Sequence, residues 1–332
     1  MVISREPFVS IIIPFKEDSS KIRECVRECK KLNYINYEII LLPDASIEEK
    51  EFFRCKIIPT GVVTPAAKRN IGIKNARGEI CAFSDADAYP DRDWLKNAIL
   101  YLNNDSIAIL GGPNLTPPDN NLLQKIIGDV LGSRVGMWNV SIRYSIRKAQ
   151  NTDLLQSCNM IIPKRTFSEL GHGWDETLIT GEDAKLCYEV RELGKKLRYV
   201  PDVINYHHRR NTLLSYLKQI WGYARDQAFV LKERRKIDRP LIFVPSLFVL
   251  WFAFGPFLFM LPAIDFYMQL LYIITASLYL IVIALGCILR NIKRAPLMFI
   301  LIISTHISYG LGFLRGFLFG KPCSTKRTKT CH

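Results

Sequence analysis

Hydrophobic positions along the chain fall into two regimes. Up to about residue 210, short apolar runs alternate with segments of helical period. "FVSIIIPF" (8–15) predicts a buried strand, and "SSKIRECVRECKKL" (19–32) a serine-capped helix with apolar positions Ile22, Val26 and Cys29. "YEIILLP" (37–43) and "KIIP" (56–59) predict two more strands, with a helical stretch over 46–55 between them. "TPAAKRNIGIKNA" (64–76) predicts a helix opened by Thr-Pro. A fourth strand "EICAFSD" (79–85), a helix over 93–104 and a strand over 106–113 follow. Further along the pattern predicts a strand over 154–163, helices over 164–171 and 181–194, and a strand pair over 196–208. Alternation of this kind predicts an α/β fold, a mostly parallel sheet wrapped by helices, with ligands bound beyond the carboxyl ends of the strands. Asp44 and Asp85 fall at two such ends.

After residue 210 the pattern changes. Residues 212–236 form an amphipathic helical pattern rich in Lys, Arg and aromatics, suited to a membrane surface. From Pro240 to Ile264 and from Phe266 to Leu289 there is no charged residue. A membrane span needs about 20 mostly apolar residues, so two full spans are expected. A third segment, 295–319, contains His306, Arg315 and several glycines; it crosses, re-enters or lies along the interface. The chain thus divides into an α/β domain (1–210), an interfacial helix (211–239), a membrane region (240–320) of two to three spans, and a basic tail (321–332).

Charge sharpens this picture. The chain carries a formal net charge of +14, and residues 191–239 hold thirteen Lys or Arg against five acids. A basic collar beside apolar spans fits anionic headgroups better than nucleic acid, so membrane lipids are the expected partner and no nucleic acid is. Lys232, Arg234, Arg235, Lys236 and Arg239 precede the first span, Asp265 lies in a loop without Lys or Arg, and Arg290, Lys293 and Arg294 follow the second. The positive-inside rule puts the first domain in the cytoplasm of a multi-pass cell-membrane protein and favours a cytoplasmic tail. "FVSIIIP" is too short for a secretory h-region. Nine cysteines without a CxxC pair fit a reducing compartment.

The candidate chemistry is acidic. "ICAFSDADAYPDRDWL" (80–95) ends an apolar run in Asp85 and Asp87. Two carboxylates one residue apart on a turn can hold one hard cation, commonly shared with substrate phosphates. Asp also favours turns and caps for local reasons, and Asp91 and Asp93 fit that role. Glu182 and Asp183 open a predicted helix, where acids also cap.

Several segments together resemble the family 2 glycosyltransferases, which have the GT-A nucleotide-diphosphosugar fold. They are "VSIIIPFKED", "YEIILLPDAS", "TPAAKRNIGIKNARGEICAFSDADAYPDRDWL", "GHGWDETLITGEDAKLCYEVRELG" and "DVINYHHRR", in the family's order over about residues 8–210. The resemblance implies a nucleotide-sugar site of Pro14, Phe15, Glu17, Asp44, Lys68, Arg69 and Asp85. It implies a metal site of Asp85, Asp87 and His207 for Mg²⁺ or Mn²⁺, with Asp87 the direct ligand. Asp183, with Glu182 second, is the implied catalytic base, and Trp174 and Asp175 the acceptor contacts. The expected function is transfer of a sugar, inverting and metal-dependent, from a nucleotide-diphosphosugar to a lipid-linked or cell-surface glycan hydroxyl. The alternatives are transfer to a polyprenyl phosphate, or a non-enzymatic membrane scaffold.

The sequence departs from the family at some points. Phe15-Lys16-Glu17 and "LLPDAS" differ from the usual loop sequences. Gln219, Trp221 and Arg225 stand at the wrong spacings for the Gln-x-x-Arg-Trp motif of processive members.

Overall fold

The computed structural model describes residues 6–102, 104–178, 180–234, 240–260 and 266–320. Its elements, in chain order, begin with β1 (Val9–Pro14), α1 (Ser20–Cys29), β2 (Tyr37–Leu42), β3 (Lys56–Ile57), α2 (Pro65–Asn75), β4 (Ile80–Phe83) and β5 (Ala88–Pro90). Then come α3 (Trp94–Leu102), β6 (Ile107–Gly111), β7 (Asn114–Leu115), α4 (Leu122–Leu131), α5 (Arg134–Met137), β8 (Gln150–Thr152) and β9 (Met160–Pro163). The rest are α6 (Lys164–Leu170), α7 (Glu182–Glu192), β10 (Lys196–Tyr199), β11 (Asn205–His207), α8 (Leu213–Arg234), α9 (Val244–Phe254), α10 (Phe266–Arg290) and α11 (Ala295–Phe319).

The chain divides into two compact units. Of the described residues, the first comprises those up to Pro118 together with Ile142–His208, and the second comprises Asp119–Ser141 and those from Arg209 to Gly320. The insertion 119–141 thus belongs with the second unit, although it lies within the range 1–210 expected as one domain.

In the first unit an eight-stranded sheet runs in the order β3-β2-β1-β4-β9-β6-β10-β8. β3, β2, β1 and β4 are mutually parallel, as are β6 and β10. β9 enters antiparallel between β4 and β6, and β8 pairs antiparallel with β10. The sheet is therefore mixed. Side-chain alternation along β1 explains its double covering. Val9, Ile11 and Ile13 join the core formed with Ile22, Val26 and Cys29 of α1 and Trp94, Leu95 and Ile99 of α3. Ile12 faces the other way, where Gly72 of α2 comes so close that a Cβ there would lie 2.5 Å from the Ile12 methyl. Each such fully buried aliphatic side chain contributes about 1.5–3 kcal/mol.

Two stretches differ from the sequence pattern. Residues 46–55 form only a short 3-10 turn, Glu49–Phe52, whose apolar anchor is Phe52. Over 154–163 the strand is confined to Met160–Pro163, preceded by a 3-10 turn at Ser157–Asn159.

In the second unit three helical segments are long and apolar enough to cross a membrane, by length and composition: Pro240–Phe257, Phe266–Arg290 and Ala295–Phe319. α8 packs on α11 through Ala224, Ala228, Leu231 and Phe313. α4, opened by an Asn121–Gln124 capping box, carries Asp129, which pairs with Arg294 at 2.7 Å. Asp265, residues 235–239 and the tail 321–332 lie outside the described residues.

Candidate active site

Parallel pairing brings the carboxyl ends of β2, β1 and β4 to one edge, and the chemistry collects there. β1 ends at Pro14, the buried Phe15 packs on Phe52, and Glu17 is exposed in the loop beyond. β2 leads to Asp44, whose backbone N–H donates to the carbonyl of Lys16 at 3.0 Å. β4 leads to Asp85, and the turn through Asp87 returns as β5. β5 pairs with β11, setting His207 opposite Ala88, so that His207 Nε2 lies 3.4 Å from Asp87 Oδ1.

Two cations of α2, Lys68 and Arg69, project into this edge. Thr64 caps the helix by accepting from Ala67 N, and Pro65 fits its first turn. Lys68 is buried; its ammonium donates to the carboxylate of Asp44, the Phe15 carbonyl and, at 3.1 Å, the Leu42 carbonyl. It ties together the ends of β1 and β2 and orients Asp44. Arg69, with a side chain only 3% exposed, donates to Asp85 Oδ1 at 2.8 Å, to Glu182 Oε1 at 2.8 Å and to Ser157 Oγ at 3.0 Å. Its Nε is buried without a partner among the described residues. One guanidinium therefore joins the DxD turn to the Glu-Asp pair.

That pair opens α7. Gly181 stands before it at φ 85°, a left-handed conformation that glycine adopts without steric cost. The turn directs Glu182 into the interior, where it is buried, and leaves Asp183 partly exposed. Burial raises the Glu182 carboxyl to about 7; Arg69 opposes the shift, and the neighbouring Asp183 adds to it. Burial also raises Asp183, against the pull of Arg143, the backbone N–H groups of Ala184 and Ser157, and Arg69. Asp183 Oδ1 accepts from Ala184 N at 2.7 Å.

Trp174 is 2% exposed. Its ring packs edge-on against Phe83 at 5.2 Å and lies under the Arg69 guanidinium at 5.1 Å. In this arrangement it is a core residue supporting Arg69, with no face presented for stacking on a sugar. Asp175 accepts from Thr177 N and Oγ1 at 2.8 and 2.6 Å and pairs with Lys185 at 2.5 Å. Burial raises this carboxyl, but the hydrogen bonds from Lys185 and Thr177 prevail and hold it below its ordinary value. Asp91 acts as a turn group, its Oδ1 accepting from Asp93 N at 3.1 Å ahead of α3, while the Asp93 carboxylate accepts from Asn33 Nδ2 at 3.0 Å.

Several participants carry no sequence signal. Asn70 clamps the 174–176 segment, donating to the Trp174 carbonyl and to Glu176 at 2.8 Å each and accepting from Trp174 N. Ser157 and Arg143 arrive from segments where the pattern shows no motif. Cys158 brings a thiol to the metal-type residues: one ligand atom each from Asp85, Cys158 and His207 lie within 4.8 Å of one another. A carboxylate, an imidazole and a thiol at that spacing fit a divalent ion. This three-residue group includes Asp85 rather than Asp87, which stands beside it against His207.

Residues 10–162 match the model of the family described as "Glycosyl transferase family 2". The chain carries a family 2 glycosyltransferase domain. It is 23% identical over 256 residues to the pre-mycofactocin glycosyltransferase of Mycobacterium tuberculosis, which covers 73% of this chain. The chain spans about half of that relative, 52% of its length. A protein of Methanococcus voltae is 26% identical over 336 residues, covering 94% of this chain and 98% of its own. Its name is dolichyl N-acetyl-alpha-D-glucosaminyl phosphate 3-beta-D-2,3-diacetamido-2,3-dideoxy-beta-D-glucuronosyltransferase. Among solved structures, the mannosyltransferase PcManGT from Pyrobaculum calidifontis, in complex with GDP-Man and Mn²⁺, superposes with a TM-score of 0.59. The match covers 92% of this chain and 88% of that one at 17% identity, so what the two share is the GT-A fold. The family 2 domain therefore has the fold expected of it, a mixed α/β sheet, and precedes helices of membrane-spanning length.

Proposed function

We propose that this protein is a membrane-bound glycosyltransferase that moves a sugar from a nucleotide-diphosphosugar to a hydroxyl of a lipid-linked acceptor, with inversion and with a divalent metal ion. The observation that carries the proposal is the double ion pair of Arg69 with Asp85 and Glu182, which couples the DxD turn to the Glu-Asp pair in one buried network. A degenerate scaffold would have no reason to keep this costly arrangement, since burying charge without use penalises the fold.

In the proposed mechanism Asp44 receives the donor's base, held in place by Lys68. Asp85, Asp87 and His207 would hold the ion, which when bound supplies electrostatic stabilisation for the leaving diphosphate. Asp183 takes the proton of the acceptor hydroxyl, and its partial exposure leaves it accessible for this role. Glu182 and Arg69 position Asp183 and Asp85 relative to one another. The lipid-linked acceptor is favoured by the apolar helices of the second unit and by the name of the Methanococcus relative.

The test is direct. Purified full-length protein in detergent is incubated with a panel of labelled nucleotide-diphosphosugars, together with prenyl phosphates or lipid-linked saccharides. One donor should yield label in the lipid fraction and release its nucleotide. Failure of every donor to transfer, in protein shown to be folded, would refute the activity. Transfer to a bare prenyl phosphate that survives Asp183→Asn would replace the hydroxyl acceptor with a phosphate, which is already ionised and needs no base.

A further inference from the structure

We propose that Cys158 is itself a ligand of the divalent ion at the Asp85–His207 site, so that the site selects an ion that accepts a thiolate, such as Co²⁺ or Zn²⁺, over Mg²⁺. The inference rests on the metal-dependent function proposed above and specifies its metal chemistry.

The geometry is close to complete. The donor atoms of Asp85, Cys158 and His207 lie within 4.8 Å of one another. Three donors around one transition ion sit roughly 3.5–4 Å apart, so a small closing movement forms the set. Cys158 is buried, and its turn is held on both sides. The Asn159 amide accepts from Trp94 Nε1 at 2.7 Å and donates to the Val203 carbonyl at 2.9 Å. The Cys158 carbonyl accepts from the buried side chain of Asn205, two residues before His207. The thiol is thereby fixed at the carboxyl end of β4, where Sγ donates to Asn114 Oδ1 at 3.4 Å. Asp85 is oriented by Arg69 at one carboxylate oxygen, and a carboxylate can accept at both. Outer partners of this kind fix the direction of metal ligands.

The donor chemistry decides the ion. Mg²⁺ takes oxygen ligands almost exclusively and is reluctant to lose water. A thiolate with an imidazole and a carboxylate suits softer divalent ions. On binding, the Sγ–H proton leaves to solvent and the thiolate coordinates.

The experiment titrates reduced, full-length protein in detergent with Co²⁺, without nucleotide, and follows the thiolate-to-cobalt charge-transfer band in the near ultraviolet. Mn²⁺ binding is measured in parallel by electron paramagnetic resonance. The wild type should develop the band with one bound ion per chain, and Zn²⁺ should displace it while Mg²⁺ should not. Cys158→Ser should lose the band and bind Co²⁺ roughly tenfold or more weakly. Changing Cys25 and Cys29 to Ser should leave the band intact. If Cys158→Ser fails to fold, His207→Ala in the wild-type thiol background should remove the band instead. Stoichiometric binding of Co²⁺ with no band, or a band that survives Cys158→Ser, would overturn the thiol ligand and leave metal dependence standing. Absence of any stoichiometric ion binding in the wild type would overturn both.

Discussion

At the scale of single residues, the Glu-Asp pair sets the acid limit of activity. Burial penalises the ionised form of both carboxyls, and the charge of Asp183 further opposes ionisation of Glu182, so both folded values are raised. A base works only when ionised. Activity should therefore fall as pH drops through an apparent value above the usual carboxylate range, and this value belongs to the coupled pair. The same shift makes the pair's contribution to stability greatest below the unfolded value, and that contribution is lost as pH rises toward about 7. Glu182→Gln removes the neighbouring charge, so the acid limb of kcat/KM should move down in pH. A limb that does not move would assign it to another group. Asp183→Asn should lower turnover by about 10²–10⁴-fold with little change in donor affinity, since a base contributes that much to the chemical step. Reduced donor binding with unaltered single-turnover chemistry would make Asp183 a binding residue. On the metal side, Asp87→Asn should abolish transfer, and chelator should inactivate the wild type until a divalent transition-metal ion is restored; full activity in excess chelator would exclude a metal.

Residues also show where sequence legibility stops. The acids at the ends of β2 and β4 could be read because parallel pairing sends those ends to one edge, whatever the strand order. The task of Lys68 could not, because its partners include two backbone carbonyls from separate strands. Trp174 belongs to the core because Phe83 and Arg69 cover both its edge and its face, a matter of packing that no motif records. Cys158 joins Asp85 and His207 only through the placement of β9 and β11 beside β4 and β5, so linear spacing gives no ligand signature.

At the scale of elements, periodicity located most strands and helices but not their pairing. β9 comes late in the chain and inserts antiparallel between β4 and β6, which alternation of strand and helix does not foretell. It carries the Ser157–Asn159 turn, and thus Ser157 and Cys158, into the site. Arg69 holds the resulting elements together, since α2, β4 and α7 meet at its guanidinium. Arg69→Met would leave the buried Glu182 and the partly buried Asp85 without their counter-charge. The expected loss is about 3–5 kcal/mol, the usual result of removing one partner from a buried pair. Thermal unfolding in detergent measures it, and a loss within experimental error would show that the network is dispensable to the fold.

A second element-scale device joins α8 to α11. Gly312 and Gly316, four residues apart, face the α8 backbone; a Cβ on them would lie 2.6 Å from the Trp221 carbonyl and 2.3 Å from that of Arg225. Small residues at this spacing allow close approach of two helices. Gly316→Leu should force them apart and cost about 1–3 kcal/mol by overpacking. An unchanged unfolding midpoint would show that the helices are not held at this distance.

At the scale of the whole molecule, the close packing of α8 and α11 bears on membrane topology. α11 has 25 residues, about 37 Å at 1.5 Å per residue, which is enough to cross. Yet from Thr305 to Phe317 it lies along a charged helix. Tyr216 meets Thr305 at 2.9 Å, Ser308 donates to the Leu217 carbonyl, and Lys232 donates to the Phe317 carbonyl at 2.9 Å. α8 also carries Lys218, Arg225 and Asp226. Charges at the bilayer centre are costly, so a helix bound along α8 is better accommodated at the interface than as a span exposed to lipid. The candidate spans differ in the same sense, with 39% of the most apolar stretch of α11 buried by protein against 11% for each of the other two. We therefore expect two full crossings, the family 2 domain and the 290–294 loop on the cytoplasmic side, Asp265 outside, and the basic tail returning to the cytoplasm. Single cysteines at 265 and 328, in a background without native cysteines, report this through an impermeant thiol reagent on intact cells. Labelling at 265 and not at 328 is the expected result. Labelling at both would make α11 a third span and carry α8's charged partner surface into the bilayer with it, while labelling at 328 alone would invert the orientation of the whole membrane region.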